Sequence, residues 1–141
     1  MMRNVVEYIQ NEVVAWDGMV ANPHRFGGLE FNLGTTEIGH IHRNGMVDIP
    51  FNSKIRNQLI AEGKAEPHHL LAETGWITFY IRTDADVQAA VDLFKLSYLF
   101  NASRGRSRAA LHNALNLDEE LTHLRLSEPL QSIFNDLTRR R

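Results

Sequence analysis

Cysteine is absent from this chain, which excludes disulfides, thiolate-bound metal and a cysteine nucleophile together. Charge of one sign is lacking too. The formal net charge is −2, so no global positive field draws the protein to nucleic acid or an anionic membrane. Nowhere do enough apolar residues follow one another to span a bilayer, and residues 1–7 lack the apolar run of a signal peptide. A cytoplasmic location is expected by default, with neither nucleic acid nor membrane as a partner. There is no internal repeat, no low-complexity tract, no Gly-x-Gly-x-x-Gly or Walker pattern and no Gly-x-Ser-x-Gly elbow.

What remains is an ordinary globular composition. The 141 residues, 43% hydrophobic and 23% charged, can bury one core. Val5, Ile9, Val13 and Trp16 recur at helical spacing, predicting a helix over residues 3–16. A short strand at 18–21 and a turn-rich stretch at 22–28 follow. Alternation then marks strands at 29–33, 46–51 and 75–81, and residues 36–42 pair with 46–51 as a hairpin. Between 46–51 and 75–81 lies a helix, capped by Asn52 or Ser53 and stopped at Gly63. Asp84 or Asp86 opens another, with Val87, Val91, Phe94 and Tyr98 on one side. The fold class expected is α+β, a mostly antiparallel four- to five-stranded sheet with helices packed on one face. Residues 1–101 form the core domain. Residues 102–141 form a helical C-terminal extension after a basic link (Arg104, Arg106, Arg108), docked on the core or on a partner subunit and able to mediate a homodimer.

The densest chemistry lies in Glu37-Ile38-Gly39-His40-Ile41-His42 and Met46-Val47-Asp48-Ile49, joined by Arg43-Asn44-Gly45. A two-residue Asn44-Gly45 turn would set His42 opposite Val47, on the apolar face. A three-residue loop with Gly45 left-handed sets Ile41 opposite Val47 and His40 opposite Asp48. Burying two imidazoles without partners costs on the order of a few kcal/mol, which favours the three-residue loop. Glu30, His40, His42, Asp48, Trp76, Thr78 and Tyr80 then share the polar face. Trp76 and Tyr80 call for a cover: the extension, a partner subunit or a ligand.

Several chemistries fit this face. His40 and His42, with Asp48 or with His68 or His69 completing the shell, could hold a divalent metal. His40 oriented by Asp48 could act as a general base without one. Thr78 and Ser97 are the available hydroxyls, neither carrying a nucleophile signature. His24 and Arg25 beside Gly27-Gly28 could meet an anion. Each has a plainer counterpart: an Asp satisfying a His, and a glycine turn.

Pro23-His24-Arg25-Phe26-Gly27-Gly28-Leu29-Glu30-Phe31, Glu37-Ile38-Gly39-His40-Ile41-His42, Asp48-Ile49-Pro50-Phe51, His68-His69, Gly75-Trp76 and Ser97-Tyr98 together resemble the small bacterial "luciferase domain" family, over roughly residues 16–100. The resemblance implies no catalytic residues and no activity, and flavin binding is not supported. A weaker likeness to the MmcQ/YjbR-like proteins rests on Trp76 and Ser97-Tyr98. The expected function is a small-ligand or partner-binding domain whose contacts come from His24, Arg25, Glu30, His40, His42, Asp48, Trp76 and Tyr80. The alternative is a small enzyme, metal-dependent and of hydrolase type, using His40, His42 and Asp48.

Overall fold

In the computed structural model, which describes residues 2–68, 70–71, 74–104 and 116–138, the alternating segments become one antiparallel sheet. Its strands are β1 (Met19–Pro23), β2 (Leu29–Leu33), β3 (Thr36–Ile41), β4 (Met46–Pro50), β5 (Glu66–Pro67) and β6 (Trp76–Tyr80), in the order β1-β2-β3-β4-β6-β5. The sheet has six strands, not four or five. The additional one, β5, is two residues long and includes a proline, so it carries no readable alternation. Proline is tolerated there because β5 is an edge.

The helices are α1 (Met2–Val14), α2 (Ser53–Ala61), α3 (Asp84–Ala102), α4 (Leu117–Leu124) and α5 (Glu128–Thr138). A short 3-10 turn occupies Arg25–Gly27. Asn52 caps α2 by accepting from the Lys54 amide at 2.7 Å. α3 opens at Asp84, as expected, and its cap is Thr83. Thr83 Oγ1 accepts from the Asp86 amide while Asp86 accepts in return from the Thr83 amide, a reciprocal capping box.

The apolar rows face the helices as their period demands. Phe31, Ile41, Val47, Ile49 and Ile77 are fully buried, and Phe31 meets Phe94 of α3 edge-on at 5.1 Å. Ile9 and Val13 bring α1 into the same core. Leu121, Leu130 and Phe134 of the C-terminal extension belong to it too, and the Phe134 ring lies 6.1 Å from that of Phe100. α4 packs on α3 and α5 on α2, so the described part of the extension docks in the helical layer. It covers neither Trp76 nor Tyr80, which lie in the opposite row of the sheet. Most of the basic link, including Arg106 and Arg108, falls outside the described residues.

Two glycines set the geometry of β3 and β4. Gly45, at φ 90°, ends the three-residue loop, and the hairpin closes through His42 N–H to Met46 O at 2.8 Å. The resulting register pairs Ile41 with Val47 and His40 with Asp48. Gly39 sits where the β2–β3 pairing slips: Phe31 faces Gly39, but Asn32 faces Glu37. This is a bulge. A Cβ on Gly39 would meet Phe94 Cε1 at 2.8 Å and Ile49 Cγ1 at 2.9 Å. Gly39→Ala should therefore lower unfolding stability by about 1–3 kcal/mol in a urea titration; a neutral result would show that the bulge has room. Phe134→Ala should cost about 3–5 kcal/mol, as for a core position. A change below about 0.5 kcal/mol, typical of a surface site, would mean that the extension contributes nothing to the core.

Candidate functional site

The polar row of the sheet converges on the Asp48 carboxylate, which is 1% exposed. Its Oδ2 lies 2.8 Å from His42 Nε2 and 3.2 Å from His40 Nε2. Its Oδ1 accepts from the Thr78 hydroxyl at 2.7 Å and faces His68 Nε2 at 3.6 Å. His40 and His42 reach the same oxygen because residues two apart on a strand project to one side. Thr78 stands opposite Asp48 on β6. His68 arrives from the connection between β5 and β6 and is buried.

Beyond this centre the network continues. His40 Nδ1 is 2.6 Å from Glu37 Oε2. The His24 ring stacks on His40 at 4.0 Å between centroids, and its Nδ1 meets Glu30 Oε1 at 3.1 Å. Asn32 donates to the other Glu30 oxygen at 2.9 Å. The Trp76 ring lies 5.7 Å from both His40 and His68.

Of the residues expected from sequence, His24, Glu30, His40, His42, Asp48, His68 and Trp76 are brought together. Arg25 is exposed on the 3-10 turn, and Tyr80 pairs its ring with the Arg82 guanidinium at 4.8 Å. Neither takes part in the hydrogen bonds described around Asp48. The amides of His24 and Gly28 are committed to Gly28 O and Arg25 O, so the glycine turn spends those donors internally. Thr78 is occupied as a donor to Asp48, and Ser97 donates to Ile38 O on the core side at 2.8 Å. His69 lies outside the described residues.

Glu37 is the member that sequence reading missed. On a regular strand residues three apart face opposite ways. The bulge at Gly39 adds the residue that returns Glu37 to the side of His40. The signal was present as a lone glycine inside a strand pattern.

The charges follow from these contacts. Carboxylates only accept, so a ring nitrogen bonded to one carries the proton. His40 thus bridges Glu37 and Asp48 as an imidazolium. Burial pulls its pKa down, but the hydrogen bonds to Asp48 and Glu37 and their charges outweigh this and push it up to about 9. For Asp48, burial favours the neutral acid. Hydrogen bonds from His40, Thr78 and His42 override it and hold the carboxyl well below the usual range. Glu30 is lowered chiefly by the Asn32 amide.

Three residues of this cluster, His40, His42 and Asp48, present donor atoms within 4.8 Å of one another, a set able to hold a metal ion. Glu37 would then act as the outer carboxylate that fixes the tautomer of a ligating histidine.

With a chelator keeping the imidazoles metal-free, the stability due to His40 is complete below its ordinary value of 6.5 and is lost as pH rises through about 9. Asp48 acts at the acid end, its contribution present above 3.8 and lost as pH falls. The Tm should therefore drop between about pH 6.5 and about pH 9, and His40→Gln should flatten that drop. An equal slope in both proteins would remove the imidazolium.

No curated protein and no solved structure matches the chain, and the likeness to the MmcQ/YjbR-like proteins is not supported by any match. A family model does match, over a narrower span than the sequence suggested, leaving His24, Arg25 and Glu30 outside it. Residues 35–97, which carry Glu37, His40, His42, Asp48, His68, Trp76 and Thr78, match the luciferase domain family.

Proposed function

We propose that the protein binds a small molecule on the polar face of its sheet through a divalent cation held by His40, His42 and Asp48. The observation that carries this reading is the meeting of two imidazole nitrogens, His40 Nε2 and His42 Nε2, on Asp48 Oδ2, with Glu37 behind His40. A cation there takes the place of the two Nε2 protons and leaves His40 in the Nδ1–H tautomer that Glu37 already accepts from. Two half-buried rings flank the centre: His24 over His40, and Trp76 against His40 and His68. They supply flat apolar walls of the kind that line small-molecule sites. Arg25 and Tyr80 lie farther out as candidate contacts for the distal part of the ligand.

A second reading, metal-assisted hydrolysis, uses the same residues. Thr78 is committed to Asp48, so on this face the nucleophile is a cation-bound water, whose pKa can fall to about 7. His40, His42 and Asp48 then hold the cation.

Cobalt(II) titration of the full chain tests the first reading. One equivalent should bind and quench Trp76 in a Trp16→Phe background. The His40→Ala, His42→Ala double variant should bind at least about 100-fold more weakly, since losing even an outer-shell partner costs 10–100-fold. Equal affinity in the two proteins would refute the centre. Ester or phosphoester turnover by the zinc-loaded protein, absent from the double variant, would select the hydrolytic reading.

A further inference from the structure

We infer that the metal centre is open: His68 is not a fourth ligand, its protonated Nε2 being turned toward Asp48, and the cation keeps adjacent positions for a bidentate oxygen ligand. This rests on the proposed centre and states what the cation there can bind.

The decisive residue is His68. Its Nδ1 lies 3.1 Å from the backbone nitrogens of both Leu70 and Leu71. Two amide protons point at that nitrogen, so it carries the lone pair and the ring proton sits on Nε2. That proton faces Asp48 Oδ1. To ligate through Nε2, the ring would have to move its proton to Nδ1, against both amides. The sequence grouped His68 with His40 and His42 as a candidate ligand, but the surrounding backbone gives it a different role.

Asp48 is restricted in the same way. The Thr78 hydroxyl occupies Oδ1 and His68 faces it, while Oδ2 faces His40 and His42. The carboxylate therefore offers the cation one oxygen. The count of protein ligands stops at three among the described residues.

The spacing of the donors points to the arrangement. Metal bonds of about 2.1 Å spanning the observed 2.8 and 3.2 Å give angles near 85° and near 100° at the cation. The aspartate oxygen can thus stand cis to each imidazole nitrogen, as in a six-coordinate ion, while the two nitrogens lie within 4.8 Å of each other. With three protein ligands, a six-coordinate ion keeps further positions on the far side. An anionic oxygen chelator, such as a carboxylate with a neighbouring oxygen or a hydroxamate, fills two of them. It also neutralises the single positive charge left by a divalent cation on one aspartate and two neutral imidazoles.

Acetohydroxamate titrated into the cobalt(II)-loaded full chain is the test. The resting visible spectrum should have the low intensity of six-coordinate cobalt(II). Hydroxamate should shift it, saturating at one equivalent. His68→Gln should retain one cobalt with the same spectrum and the same hydroxamate response, its cobalt affinity reduced by no more than the roughly 10–100-fold of an outer-shell change. An intense tetrahedral spectrum indifferent to hydroxamate, or one altered by His68→Gln, would overturn the open centre while leaving the metal site standing. Failure to bind cobalt in stoichiometric amount would overturn the metal reading itself. The hydroxamate titration of the unaltered protein decides the matter even if the His68 variant does not fold.

Discussion

A single buried carboxylate organises the polar side of this protein. Asp48 sits at the centre of the sheet, almost wholly removed from water, where an unpaired charge would cost several kcal/mol. Its two oxygens are satisfied from two separate strands, β3 through His40 and His42 and β6 through Thr78, and His68 of the β5–β6 connection stands 3.6 Å away. Those partners can meet only in the observed register. A slip of one residue would turn Asp48 into the apolar layer and expose Val47 and Ile49.

The same strand serves both faces. On the core side Gly39 is pressed under Phe94 and Ile49, with no space for a side chain. On the polar side the bulge at that glycine aligns Glu37 behind His40. Packing of α3 on the sheet and orientation of His40 are therefore coupled through one backbone irregularity. The C-terminal helices stand apart from this coupling. Their buried side chains complete the helical layer, where Leu130 and Phe134 are fully enclosed.

Much of this architecture was legible in the sequence. Period-two rows placed β2, β4 and β6, and the cost of burying unpartnered imidazoles selected the three-residue loop that joins β3 to β4 in the structure. What went unread had no regular pattern to show it. Strand β5 has too few residues for one, whereas α3 begins at Asp84 as expected, with Thr83 as its cap. Glu37 was missed because regular alternation assigns it to the wrong face. Tyr80 stands on the polar side of the sheet as its alternation requires, with the Arg82 guanidinium over its ring.

The sequence alone determined which residues alternate, hence that His40, His42 and Asp48 share a face. Alternation is a local property of an extended chain and needs no partner to be read. Only the tertiary structure decided what those residues are joined to. Glu37 reaches His40 through a bulge whose consequence depends on the pairing with β2. His68 is drawn from a loop with no periodicity onto Asp48, and two backbone amides choose which of its nitrogens holds the proton. These contacts depend on where distant segments are placed and on how their backbones are oriented, and neither is encoded in the spacing of residue types.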